Sequence, residues 1–384
     1  MMEPIRVLQV LTIMNRGGAE TMIMNYYRNI NRSKVQFDFL LHRKEEGVFD
    51  REIELLGGKI HRLSNINLKN LMAYKKELDE FFKQHNEYKI VHAHLNGLSV
   101  FVLNAARKNK VPVRIAHSHT SLYHLNINPF SKNRQPLSFV VRFFAQNIFK
   151  QNIPKYANYY YACGEKAGIW LFGKKNEPNI TVINNAIDTS KFIYRKKVAN
   201  DYKDKLNLNP QHLVIGHVGN FVQEKNHAFI LNVFKELKNM EPKTTLVLVG
   251  GGDRTEFEAR AKALKIEDSV QFLGVRSDVE NILQAIDIFL FPSTNEGLPV
   301  TLIEAQASGL KIVASDDISN ELNVTGLVNF CSLEKPPRFW ANIILKEKLY
   351  NRIDTSKMIT EANYDIKNNA QWLQDFYLTT NNLN

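Results

Sequence analysis

Ile286-Asp287-Ile288-Phe289-Leu290-Phe291-Pro292-Ser293-Thr294-Asn295-Glu296-Gly297-Leu298-Pro299-Val300-Thr301-Leu302-Ile303-Glu304-Ala305 holds a strand, a turn and a helix in sequence. The run Ile286–Phe291 is short and largely apolar, as a strand buried on both faces requires. Pro292 stops it, and a polar turn carries Glu296 and Gly297. Pro299 fits the first turn of a helix that continues to Ser308, because its missing N–H is one the helix would leave unused.

The same strand–turn–helix unit recurs on both sides. In the first half strands are predicted at Val7–Ile13, Val35–Leu41, Ile60–Leu63, Ile90–Leu95, Val113–His119, Tyr159–Cys163 and Thr181–Asn184. Helices fall between them, among them Gly18–Ile30, Leu68–Gln84 and Gly97–Lys108. In the second half strands are predicted at Leu213–Val218, Thr245–Val249, Val270–Leu273, Ile286–Phe291, Lys311–Ala314 and Leu327–Phe330. Their helices include Asn226–Asn239, Thr255–Leu264 and Pro299–Ser308. Alternation of this kind predicts parallel sheets covered by helices on both faces.

A polar stretch at 186–212 interrupts the pattern, which then restarts. The fold class expected is therefore α/β, with two doubly wound Rossmann-like domains facing a central cleft. Their expected limits are 1–190 and 191–364, with an amphipathic helix of about Asp365–Tyr377 opening a terminal segment, 365–384, that packs back on the first domain. Ligands of such sheets bind beyond the carboxyl ends of the strands.

Composition excludes several classes. The chain has 384 residues, 44% apolar and 23% charged, which is globular and long enough for two cores. No stretch is long enough to span a bilayer, and the start lacks the basic-then-apolar order of a signal peptide. Two cysteines, Cys163 and Cys331, suggest no disulfide framework, so a reduced cytoplasmic protein is expected. The net charge of +11 is concentrated in residues 1–195, which hold 29 Lys/Arg against 15 Asp/Glu. Between Glu87 and Glu165 there are ten Lys/Arg and no carboxylate. That field suits an anionic partner, such as a phosphorylated acceptor or the inner face of a membrane. Nucleic acid is not an expected partner, because no helix-turn-helix, zinc-ligand or RNA-recognition pattern is present. Pro136–Asn152 carries Leu137, Val140, Val141, Phe144 and Ile148 at helical spacing beside Arg142 and Lys150. Burial in the first domain is the favoured reading and an interfacial membrane helix the other.

Five short segments carry chemistry. Asn15-Arg16-Gly17-Gly18-Ala19-Glu20 follows the first strand, and its two glycines let backbone N–H groups approach a phosphate. The full G-x-G-x-x-G pattern is missing, which argues against a dinucleotide dehydrogenase. Gly216–His227 places Asn220 and Lys225 between a strand and a helix, where an ammonium suits a diphosphate leaving group or, more simply, a surface turn. In the opening segment the amides of Gly297, Leu298, Pro299 and Val300 belong to a helix amino end that favours an anion, Pro299 contributing none itself. A continuous helix would separate Glu296 from Glu304 by roughly 12 Å, far from the 5–5.5 Å spacing of a retaining glycosidase pair. His92-Ala93-His94 and His117-Ser118-His119 end two strands, each pair on one sheet face. A cleft histidine bonding a hydroxyl is the favoured reading, with a metal site the lesser one.

In this order the motifs resemble the retaining glycosyltransferases of family 4 (glycosyltransferase group 1), of the GT-B architecture. The resemblance runs through Gly17–Glu20, Ile115–Thr120, Ala162–Phe172, Val182–Asp188, Val218–His227, Val249–Gly252, Phe272–Asp278 and the Glu296…Glu304 block. Its closest look is to bacterial enzymes of exopolysaccharide, capsule or lipopolysaccharide assembly.

The resemblance implies transfer of a sugar from a nucleotide-diphosphate donor, with a lean toward UDP, to a glycan or polyprenyl-diphosphate-linked acceptor. No cofactor and no metal are expected. Gly17 and Gly18 would approach the donor phosphate or the acceptor, and His119 the transferred sugar. Lys225 would hold the diphosphate, the backbone of Val275 and Arg276 would meet the base, and Glu296 would bind the sugar. Gly297 to Val300 would meet the diphosphate and Glu304 the ribose. Many members carry arginine where this chain has Asn220, and Arg16 or Arg276 are candidates to supply the missing charge. Many also have proline where this chain has Lys311. A hydrolysing sugar-nucleotide epimerase on the same architecture, or a donor-binding subunit without turnover, are the competing readings.

Overall fold

The computed structural model describes residues 3–66, 70–119, 137–294, 296 and 298–382, without the side chains of residues 137–139, 141 and 142. Seven strands build the first sheet: β1 Ile5–Leu11, β2 Val35–Leu41, β3 Ile60–Arg62, β4 Ile90–Ala93, β5 Val113–Ser118, β6 Tyr159–Ala162 and β7 Ile180–Val182. Six build the second: β8 Leu213–Val218, β9 Thr244–Val249, β10 Val270–Gly274, β11 Ile288–Phe291, β12 Lys311–Ser315 and β13 Val328–Cys331. Every pairing between these strands is parallel.

The strand orders are β3-β2-β1-β4-β5-β6-β7 and β10-β9-β8-β11-β12-β13. Both orders reverse direction once, between β1 and β4 and between β8 and β11. At such a switch point the helices leave to opposite faces and open a crevice beyond the carboxyl ends of the two central strands. The sequence explains why these strands sit centrally. β4 and β11 are each buried at all four positions, so neither has a face for water.

Two compact units result, Met1–Ala186 with Ile366–Asn384, and Ile187–Asp365. The helix Ile366–Asn382 belongs to the first unit. Its Leu373 and Tyr377 share a buried cluster with Tyr26, Phe37 and Tyr161, and its Gln374 accepts a hydrogen bond from the Asn31 amide at 2.9 Å. The polar stretch at 186–212 is not irregular throughout. It contains a helix, Lys196–Lys205, which lays Ala199 into the second unit and whose Tyr202 donates to Asp278 at 3.0 Å.

Three expectations need correction. The helix after β11 is Val300–Ala307, so Pro299 stands at its N-cap, one position earlier than its missing N–H suggested. Glu296 therefore lies in the turn, and the axial spacing of a continuous helix does not apply to it. On the helix Leu137–Lys150, Phe144 and Ile148 are exposed and the inward face carries Gln146 and Phe149 instead. Gly97 explains the change: its Cα lies so close to Gln146 that a Cβ would meet the Gln146 backbone carbonyl and side-chain oxygens. Leu68, Thr120, Pro136, Asn295 and Gly297 lie outside the described residues, as do the side chains of Leu137, Phe139, Val141 and Arg142.

Candidate active site

Two turns meet at the carboxyl ends of β8 and β11. The turn after β8 ends in Asn226, whose φ of 55° is left-handed, a conformation asparagine tolerates better than most residues. Its side-chain amide donates to the Pro292 carbonyl at 3.2 Å. The Thr294 amide donates to the Glu224 carbonyl at 2.9 Å. These bonds fix the turn carrying Lys225 against the turn carrying Glu296.

The consequence is an ion pair. Lys225 Nζ lies 2.5 Å from Glu296 Oε1, with side chains 16% and 15% exposed. The ammonium also stands over the Phe291 ring, 4.9 Å from its centroid. Its stem runs past Gly219, where a Cβ would lie 3.1 Å from Lys225 Cδ and 2.9 Å from His217 Nε2. Glycine at 219 keeps that space open. A second glycine, Gly250, lets the β9 turn approach so closely that a Cβ there would overlap the Gly219 carbonyl.

His217 Nε2, beside the Lys225 stem, is buried with no hydrogen-bond partner among the described residues, as are Ser293 Oγ in the β11 turn and Thr301 Oγ1 on the helix that follows. Folded proteins rarely leave such atoms unpaired, and a cluster of them marks a place where a ligand completes the bonding. Thr301 sits in the first turn of Val300–Ala307, whose N-cap Pro299 has no side chain to cap it. The amides of Val300 and Thr301 in that first turn are left without an intrahelical acceptor.

The other predicted donor residues follow β8 and β10 or lie on the helix Val300–Ala307. Asn220 Oδ1 accepts from the Gly251 amide at 3.1 Å, and Val275 packs against Gly251. Asn220 therefore braces the β9 turn and does not reach out as a longer cation would. Arg276 is committed to Asp278 by two hydrogen bonds of 2.8 and 2.6 Å. Those bonds hold the Asp278 carboxyl well below the usual range. Arg276 is consequently not a spare cation. Glu304 is half-buried on the helix, and burial, with Glu280 adding repulsion, pushes its carboxyl up to about 7. Gly297 is outside the described residues.

The first unit holds a separate cluster. Glu20 folds back so that a Cβ on Gly17 would touch its carboxylate, and burial raises that carboxyl. A phosphate approaching Gly17 and Gly18 would have to displace Glu20. Arg16 is exposed beside it.

At the carboxyl ends of β4 and β5 the four histidine rings lie against one another, with centroids 4.3 Å apart for the tilted pair His92 and His94 and 4.2 Å for the stacked pair His117 and His119. His94 Nδ1 and His119 Nε2 are 2.8 Å apart, and His92 Nε2 and His117 Nδ1 are 3.1 Å apart. Gln9 Oε1 bonds His94 Nε2 at 2.9 Å and Tyr377 Oη bonds His92 Nδ1 at 2.7 Å. Burial keeps all four rings neutral, His119 at about 3 and the others well below 6.5.

Nitrogens of His92, His94 and His117 lie within 4.8 Å of one another, which is metal-ligand spacing. Five of their six nitrogens are already hydrogen bonded, so these rings fit a hydrogen-bond network better than a metal. Neither Gln9 nor Tyr377 belongs to one of the sequence motifs. The signal for Gln9 was a polar residue inside a buried strand; Tyr377 has no local signal, since it is remote in the chain.

Comparison with known proteins identifies the class. Anabaena HepE in complex with UDP superposes with a TM-score of 0.75 over 97% of this chain and 100% of its own, at 17% identity. The fold is that of the GT-B glycosyltransferases. The family descriptions "Glycosyltransferase Family 4" and "Glycosyl transferases group 1" match residues 16–191 and 198–326. The putative glycosyltransferase EpsF of Bacillus subtilis is 36% identical over 97% of this chain and 96% of its own length. CapH of Staphylococcus aureus, a capsular polysaccharide biosynthesis glycosyltransferase, is 26% identical over 98% and 99%. The chain belongs to the family 4, group 1 glycosyltransferases.

Proposed function

We propose that this enzyme transfers a sugar from a UDP-sugar, with retention of anomeric configuration and without a metal, to a glycan or polyprenyl-diphosphate-linked acceptor. The pathway is assembly of a bacterial cell-surface polysaccharide. The observation that carries the reading is the Lys225–Glu296 pair at the β8/β11 switch point, on a turn that leads into the uncapped amino end of Val300–Ala307. The EpsF and CapH likenesses support the pathway, and the UDP bound to HepE supports the nucleotide.

Breaking the glycosidic bond leaves negative charge on the diphosphate. Lys225 and the amides of Val300 and Thr301 offer fixed positive charge and donors for it, which is the work a metal does elsewhere. Glu296 then exchanges its ammonium partner for a sugar hydroxyl. Glu304 accepts hydrogen bonds from the ribose, and the 275–276 backbone meets the base. His119 bonds a hydroxyl of the transferred sugar. The acceptor hydroxyl attacks the face from which the diphosphate departs, through an oxocarbenium-like state. The basic first unit is the side for the acceptor and for any peripheral contact with the inner membrane face. Among the described residues no helix is long and apolar enough to cross a membrane.

A panel of nucleotide sugars in a thermal-shift assay, followed by transfer to lipid-linked acceptors in chelator, tests this. The expected result is a raised melting temperature with a UDP-sugar and an α-linked product from an α-linked donor. Strict dependence on a divalent ion, or release of an epimerised free sugar, would defeat it.

A further inference from the structure

The hydrogen bonds around Gln9 form one connected network, and its proton arrangement follows from the orientation of a single amide. Gln9 is fully buried on β1, between the ring of His94 on one side and the hydroxyl of Tyr377 on the other. Its Nε2 donates to Tyr377 Oη at 3.3 Å. The tyrosine O–H must then donate onward, to His92 Nδ1 at 2.7 Å. A neutral His92 with an accepting Nδ1 carries its proton on Nε2 and donates to His117 Nδ1 at 3.1 Å.

The other arm starts from the amide oxygen. Gln9 Oε1 accepts, so His94 donates from Nε2 at 2.9 Å and accepts at Nδ1. His119 must then donate from Nε2, at 2.8 Å. Its Nδ1 is left as a bare acceptor, and among the described residues nothing bonds to it. A half-turn of the Gln9 amide reverses every bond in both arms, so that His119 Nδ1 would carry hydrogen and donate. Each arrangement is self-consistent and no mixture of the two is, because every ring is neutral and holds one proton.

We propose that Gln9 is a positioning residue: its amide, anchored by Tyr377, sets the tautomer of His119 through His94 and so presents Nδ1 as an acceptor for a donated hydroxyl proton. His117 Nε2, buried without a partner at the end of the other arm, is the proton-bearing nitrogen this arrangement requires there. That the hydroxyl belongs to the transferred sugar rests on the function proposed above; the tautomer assignment does not.

The test uses full-length protein labelled with nitrogen-15 in its histidine rings. In the wild type His119 should show a single tautomer with hydrogen on Nε2. Gln9→Leu removes both anchors, and Tyr377→Phe removes one hydroxyl from an otherwise intact core, so the second variant serves if the first does not fold. In either, His119 should report both tautomers. Transfer should fall about tenfold in kcat with donor KM within about twofold, since one oriented hydrogen bond is lost and nucleotide contacts are not. UDP binding should be unchanged. A His119 that keeps the single Nε2–H form in both variants overturns the proposal. A shifted tautomer with undiminished kcat supports the positioning by Gln9 and removes His119 from the transfer step.

Discussion

Lys225 and Glu296 neutralise each other across 2.5 Å, on turns that follow two adjacent parallel strands. An anion that binds Lys225 competes with this carboxylate. Glu296→Gln should therefore bind UDP about fivefold more tightly while losing transfer, because a partly buried pair worth about 1 kcal/mol no longer opposes the ligand. Lys225→Met should weaken UDP binding about a hundredfold, since it leaves a carboxylate facing the diphosphate. Isothermal titration with UDP separates the two. Equal or weaker UDP binding by Glu296→Gln would mean the pair does not have to open.

Asn220 braces Gly251, and Arg276 is tied to Asp278. Asn220→Arg should add a diphosphate contact and tighten UDP about fivefold, with the effect shrinking at high salt. A salt-insensitive change would locate the new side chain away from the phosphates.

Thermal stability should depend on pH with two opposing signs. For His119, held at about 3, and His42 and His227, at about 4, the unfolded chain binds more protons below 6.5. Their contribution is full above pH 6.5 and is lost as pH falls toward 3. Glu304 is raised from 4.5 to about 7, so the folded chain binds the extra proton. Its contribution is full below pH 4.5 and is lost as pH rises through 7. Relative to Glu304→Gln, the wild type should thus gain melting temperature between pH 8 and pH 5. A constant difference between the two across that range would show that Glu304 is not perturbed.

Gly250→Ala should lower stability by about 2–3 kcal/mol and abolish UDP binding, because the added methyl meets the Gly219 backbone and cannot be relieved by a side-chain rotation. Calorimetric melting with and without UDP measures both effects. A stable variant with normal UDP binding would show that the two turns need not touch.

The strands were legible because each is a short apolar run closed by a turn; β2 and β8 match their predicted limits residue for residue. The Lys225 and Glu296 segments were legible as strand-to-helix turns. Their contact was not, because it depends on β8 lying next to β11, a pairing between strands about 70 residues apart. The role of Pro299 was misread by one position, since Pro suits both N1 and the residue before it. Phe144 and Ile148 misled for a different reason: apolar spacing marks a face but not which face the neighbour takes, and here Gly97 admits Gln146. Gln9 and Tyr377 are separated by 368 positions, and no local pattern links them.

That separation bears on how the protein is made. The second unit is continuous from Ile187 to Asp365, whereas the core of the first draws on Leu373 and Tyr377. On a ribosome working from the amino end, the first unit emerges early and waits, with Tyr26, Phe37 and Tyr161 lacking their cover, until the whole of the second unit has been synthesised. Domains usually fold as they emerge. Here the later-made unit can finish first, and the earlier one keeps an apolar face open until its last helix arrives.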